Sequence, residues 1–165
     1  LGGEARGLQV STFHSLGLDI IRREIGTLGY KSGFSIFDQQ DAQALLRELL
    51  LRNGDVDNDY VEMAQHSISN WKNDGLLPEV LLQRAATQGE MNLALLYERY
   101  QRALKAYNAV DFDDLIALPV QLFEKYPDVL SRWHQRIRYL LVDNTKTLTP
   151  ANIVWCNCWW ACVAV

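Results

Sequence analysis

Two short strand-like runs, Gly7–Thr12 and Arg138–Asp143, stand at either end of a long stretch whose apolar residues repeat almost entirely at helical spacing. That order is the strongest constraint on the fold. Two short strands cannot form a stable sheet alone, so the remaining strands are expected from residues outside this chain. The chain reads as a mostly helical piece of an α/β domain, and a first residue of Leu1 instead of methionine agrees with a fragment.

The helical stretch divides at turn and cap signals. His14 to Leu28 carries Leu16, Ile20, Ile21 and Ile25 on one face and Arg22, Arg23 and Glu24 on the other, the pattern of an amphipathic helix. Gly29 and Gly33 bracket a turn. Asp38 is placed to cap a helix with Asp41 in its first turn and Leu45, Leu46, Leu49 and Leu50 as its apolar stripe. Asn53-Gly54 ends that helix, and the polar stretch to Asp59 reads as a loop. A further helix is expected over 59–73, and Pro78 begins a short one. Leu93, Leu96, Tyr97, Tyr100, Leu104 and Tyr107 share one face of a long helix from about Glu90 to Asn108. Asp111 caps the next, which Pro119 should kink and Pro127 should close. A short helix carrying Trp133 then leads into the strand at 138–142.

With 165 residues, 48% of them apolar and 22% charged, the chain has the makeup of one globular domain or part of a larger one. A net charge of −4 gives no global pull toward nucleic acid, so any steering must be local. No apolar run approaches the roughly 20 residues of a membrane span, and no signal peptide is visible. Residues 1–143 contain no cysteine, which suits a reducing, cytoplasmic setting. The composition breaks after Asp143. Residues 144–165 hold all three cysteines (Cys156, Cys158, Cys162), Trp155, Trp159 and Trp160, and Lys146 as their single charge. A structural zinc site needs four placed ligands and no histidine lies nearby, so the tail is not read as a metal site.

Three segments in order carry a family likeness: Ser11-Thr12-Phe13-His14-Ser15-Leu16-Gly17, Val110-Asp111-Phe112-Asp113-Asp114-Leu115 and Arg138-Tyr139-Leu140-Leu141-Val142-Asp143. With Phe34-Ser35-Ile36-Phe37-Asp38 and Ile68-Ser69-Asn70-Trp71-Lys72-Asn73, they resemble the UvrD/Rep group of superfamily 1 DNA helicases, and within it the Rep branch. The likeness covers essentially all of 1–143. It implies a partial RecA-like P-loop NTPase core of a few parallel strands, interrupted by a large helical insertion. On that reading 1–30 belongs to the motor core, 31–110 is the insertion, and 111–143 returns to the core and ends in the magnesium-motif strand. Residues 144–165 form no domain.

In that family the third segment continues Asp-Glu-Tyr-Gln-Asp-Thr-Asn, whereas here Asp143 is followed by Asn144-Thr145-Lys146-Thr147. Loss of one G directly after the Asp143 codon accounts for the difference. In the restored frame the first codon is GAA, glutamate, and the next accommodate Tyr, Gln, Asp, Thr and Asn in turn. Val154 to Ala161 then regenerate an amphipathic helix start. Residues 144–165 therefore read as a frameshift product.

The resemblance also implies site residues. Thr12, Phe13 and His14 stand where the family contacts single-stranded DNA, and a hydroxyl, an imidazole and a ring at a helix start suit phosphate and base. Without the family, Thr12 is a cap and Phe13 is core. Trp71 and Lys72 could touch duplex DNA, or else be a half-buried ring beside a solvated ammonium. Asp143 would hold magnesium; the bland alternative is a surface acid at a strand end. Asp111, Asp113 and Asp114 read as a helix cap and first-turn acids sooner than a metal or acid–base site. Arg132, His134, Arg136 and Arg138 read as a solvated basic face.

No Gly-x-x-x-x-Gly-Lys-Ser/Thr phosphate loop occurs in the chain. The parent is thus expected to be an ATP- and magnesium-dependent 3′-to-5′ helicase acting on single-stranded and forked DNA, with replication or repair proteins as possible partners. This chain by itself is expected to bind no ATP and to lack an intact catalytic residue. The alternative is a non-enzymatic helical module that binds DNA or a protein partner.

Overall fold

A computed structural model describes residues 11–51 and 57–137, together with the backbone of 140–142 and 162–164. In chain order these form α1 (Phe13–Arg23), β1 (Ser35–Phe37), α2 (Gln39–Leu51), α3 (Asn58–Asn73), α4 (Pro78–Arg84) and α5 (Gln88–Ala106). There follow β2 (Ala109–Asp111), α6 (Asp114–Lys125), α7 (Pro127–Arg136), β3 (Leu140–Val142) and β4 (Cys162–Ala164). The described chain is mostly helical with a few parallel strands, as expected. The strand expected at Gly7–Thr12 falls largely outside the described residues.

Local signals fix most helix starts. Thr12 Oγ1 accepts the N–H of Ser15 and begins α1. Asp38 accepts the N–H groups of Gln40 and Asp41, while Asp41 returns a bond to the Asp38 N–H. Thr87 and Glu90 form a complete capping box at α5. Pro78 and Pro127 occupy first turns, where a missing N–H costs nothing.

The helix expected over 14–28 stops at Arg23. The chain then turns tightly, with the Tyr30 N–H bonded to the Ile25 carbonyl and Gly29 at φ +70°, a backbone shape that glycine adopts freely. Ile25 still packs on the core, so its apolar spacing served burial and not helix.

Apolar residues gather in separate clusters. One joins α2, α3 and α5 through Leu45, Leu46, Val61, Ile68, Tyr97 and Leu104. Another joins α1, α6 and α7 through Leu16, Ile20, Val120, Phe123 and Trp133. A third sets Ile21 against Val110, Leu115 and Leu118. The α6 helix is buried nearly all round, from Asp114 to Val120 and again at Leu122 and Phe123, and so lies at the centre.

Gly17 lets α1 sit down on α6. A Cβ there would overlap the Leu115 carbonyl oxygen. Pro119 stands four residues after Leu115 and has no N–H to give that carbonyl. The bare glycine backbone thus meets a carbonyl in the interior of α6 that its own helix leaves without the usual donor.

Strands β1 and β2 pair in parallel, with Ser35 opposite Ala109 and Phe37 opposite Asp111. Strands β3 and β4 form a second parallel pair, Leu140 opposite Cys162. The expected strand at 138–142 is present over 140–142, and residues 162–164 supply a strand where the sequence indicated no element.

Candidate functional site

The chemistry-bearing groups converge where β2 hands over to α6. Asp111 ends β2 and Asp114 begins α6. The Asp111 N–H donates to Asp114 Oδ2 at 3.2 Å, and the Asp114 N–H donates to Asp111 Oδ1 at 2.9 Å. The expectation that Asp111 caps the helix is met only in part: its carboxylate bonds the first helical N–H, at Asp114, but Asp111 ends β2 and the residue at the helix boundary is Asp113, which makes no side-chain capping bond. Neither the Asp111 nor the Asp114 carboxylate faces solvent.

Lys72, near the end of α3, reaches both from the opposite side. Its Nζ donates to Asp111 Oδ2 at 2.7 Å and to Asp114 Oδ1 at 2.9 Å. The Tyr100 hydroxyl of α5 donates to Asp111 Oδ2 at 2.9 Å, and the Lys72 ammonium lies 5.2 Å from the Tyr100 ring centroid. Beside it, Asn73 Nδ2 donates to Asp113 Oδ1. All four oxygens of Asp111 and Asp114 are engaged. This corrects the sequence reading of Lys72: at 2% exposure it is neither solvated nor presented at the surface for DNA. Trp71 is half-buried, its ring 5.9 Å from that of Tyr97.

Two acids and one cation in a dry site perturb one another. Burial disfavours the Lys72 ammonium, but the Asp114 and Asp111 charges outweigh it and hold the lysine charged. Burial also raises both carboxyls. For Asp111 the Lys72 charge and the hydrogen bonds from Lys72, the Asp114 N–H and Tyr100 win, keeping it below the usual carboxylate range. For Asp114, burial and the neighbouring Asp111 charge win and push it up to about 6. Asp113 is raised by burial and by Asp111.

Of the four residues 111–114, Phe112 alone turns its side chain outward, 51% exposed. It stands on a cavity of about 510 Å³ whose walls include Phe37, Gln39, Gln43, Gln65 and His66. Aromatic and amide groups share the lining with the acids Asp38, Glu62, Asp111 and Asp113. Such a lining repels phosphate and suits a planar ring with polar edges. The sequence marked 110–115 as a family segment, but its exposed ring was read past in favour of the acids.

At the start of α1, Thr12 and His14 are exposed and Phe13 is half-buried against the cluster around Phe123 and Trp133. The first turn of α1 holds no acid. A helix start without acids is compatible with a nearby anion. Phe13 belongs with the C-terminal half of α6 and Phe112 with its N-terminal end, so the expected residues at the start of α1 and the exposed ring that the sequence reading missed lie at two places and not one.

The basic face at α7 is partly neutralised. Arg132 pairs with Glu24 at 3.1 Å, and Trp133 Nε1 donates to the same carboxylate. Arg136 lies over the Trp133 ring. Arg138 and the expected magnesium ligand Asp143 lie outside the described residues. Among the described residues, no group of three or more His, Cys, Asp or Glu side chains could hold a metal ion, and no helix is long and apolar enough to cross a membrane.

Comparison with known proteins adds an independent line. The family model of the UvrD/REP helicase N-terminal domain matches residues 1–156. The ATP-dependent DNA helicase Rep of Escherichia coli (strain K12) is 49% identical over 142 residues, covering 85% of this chain and 21% of that protein. Rep of Buchnera aphidicola subsp. Baizongia pistaciae is 42% identical over 136 residues, 82% of this chain and 20% of its own length. The ATP-dependent DNA helicase PcrA of Staphylococcus aureus (strain NCTC 8325 / PS 47) is 34% identical over 154 residues, 92% of this chain and 21% of its own. The chain spans about a fifth of the length of the curated relatives it matches.

Proposed function

Because the chain belongs to the UvrD/REP helicase N-terminal domain family, we propose that it is a DNA-gripping segment of the first motor domain of an ATP-dependent 3′-to-5′ DNA helicase. The observation that carries this reading, beyond the family match, is the exposed Phe112 at the cavity rim, in a turn whose three acids are bonded inward. A single strand would meet the start of α1 with its phosphates, at the exposed Thr12 and His14. It would stack a base on Phe112 further along. Forked DNA is the natural substrate, and replication or repair proteins are the natural partners, in the cytoplasm.

Residues 1–30 and 111–143 are assigned to a RecA-like core and 31–110 to a helical insertion. The parallel β1–β2 pair and the separate apolar cluster of α2, α3 and α5 support that division. Asp143 would hold magnesium in the intact parent, where the bound nucleotide supplies the energy for movement. The polypeptide itself contains no phosphate-loop motif and turns over no ATP. Residues 144–165 are read as the product of a lost G, and sequencing the genomic DNA across the Asp143 codon decides that point.

Fluorescence anisotropy of a labelled oligo(dT) with the full chain tests the grip. Binding that weakens with salt and with His14→Ala or Phe112→Ala is expected. No binding, or binding indifferent to both substitutions, would overturn the proposal, as would DNA-stimulated ATP turnover for the claim of inactivity.

A further inference from the structure

Residues 111–114 form a turn pinned from inside at three of its four positions. Asp111 and Asp114 are buried on the Lys72 ammonium, and Asp113 is bonded to Asn73. Both pins come from the last turn of α3, and Tyr100 adds a third tie from α5. The fourth residue, Phe112, is exposed. Bonds that fix the backbone on both sides of a residue fix the direction of its side chain.

We propose that Lys72 is a positioning residue for single-strand capture: by clamping Asp111 and Asp114 it holds Phe112 at the cavity rim, and it acts on DNA through that ring and not as a phosphate ligand. The inference rests on the DNA-binding reading above. It gives the helical part of the chain a direct mechanical hold on the residue that meets the base. A movement of α3 would carry the turn with it.

Salt dependence separates this role from a phosphate contact. Losing a lysine that touches phosphate lowers the slope of log K against log salt by about one. Losing a buried clamp leaves the slope alone. The test measures oligo(dT) anisotropy across a salt series for the wild-type chain, Lys72→Met, Phe112→Ala and the double variant. Lys72→Met should weaken binding about tenfold, the size of one lost base–aromatic stack, with the wild-type slope. Adding it to Phe112→Ala should weaken binding no further.

Lys72→Met leaves two buried carboxylates without their cation and risks unfolding. Lys72→Met/Asp114→Asn removes one charge of each sign, keeps the formal charge of the cluster, and should behave like the single variant. Wild-type affinity in either folded variant would overturn the inference, and so would a shallower slope or additive losses. If Phe112→Ala weakens binding while Lys72 variants do not, the clamp alone is wrong. If the wild-type chain does not bind the oligonucleotide, the DNA reading falls and the inference with it.

Discussion

Asp111 and Asp114 each accept the other's backbone N–H, and both carboxylates reach the one ammonium of Lys72. The reciprocal bonds are the local half of the arrangement, a capping box written with two aspartates. The lysine is the long-range half, and it ties α3 to the start of α6. The cluster keeps one more negative than positive charge in a site with almost no solvent.

Lys72→Met should cost about 3–5 kcal/mol, the penalty for leaving buried charge uncompensated. Urea denaturation at neutral pH reads this as a lower midpoint. A loss below about 1 kcal/mol, the range of exposed pairs, would mean that the ammonium is not buried between the two acids.

The two acids should give stability opposite pH dependences. Asp114 is pushed up to about 6 in the folded chain, against about 3.9 when unfolded. The folded state then binds this proton more tightly, so the Asp114 contribution falls as pH rises from about 4 through 6. Asp111 is held low, so its contribution is present above about 3.9 and is lost as pH drops through its folded value. Thermal melts should therefore show wild type gaining stability, relative to Asp114→Asn, as pH falls from about 7 to 5. Parallel profiles for the two proteins would contradict the assignment.

Gly17→Ala should destabilise by about 1–3 kcal/mol, because the added methyl must push the Leu115 carbonyl and with it α6. Gly89 in α5 has nothing within 4 Å of where its Cβ would stand. Gly89→Ala should accordingly raise stability by up to about 1 kcal/mol through helix propensity. Melting temperatures of the two variants moving in the same direction would contradict the close α1–α6 approach.

Much of the helical framework was legible because its signals are local. Thr12, Asp38 and Pro78 mark helix starts within one turn of themselves, whereas Pro127, read as closing α6, also opens α7. The Thr87–Glu90 box moves the start of α5 to Gln88, two residues before the expected Glu90. What the sequence could not convey was pairing at a distance. Strands β1 and β2 are three residues each, too short for a period of two to stand out. Lys72 and Asp111 lie 39 residues apart. Asp-rich spacing announced a cap, yet nothing in it named the cation that fills the other side. The burial of Lys72 and the resulting exposure of Phe112 belong to tertiary packing, so the candidate site was legible as a segment and not as a geometry.

The most direct test of the account is a hydrogen–deuterium exchange footprint of oligo(dT) on the full chain. Protection is predicted at the start of α1, over Thr12 to Ser15, and at the 111–114 turn, with none at the exposed start of α5 near Gln88. Protection confined to other elements, or none at saturating oligonucleotide, would contradict the claim that this chain grips single-stranded DNA through those two places.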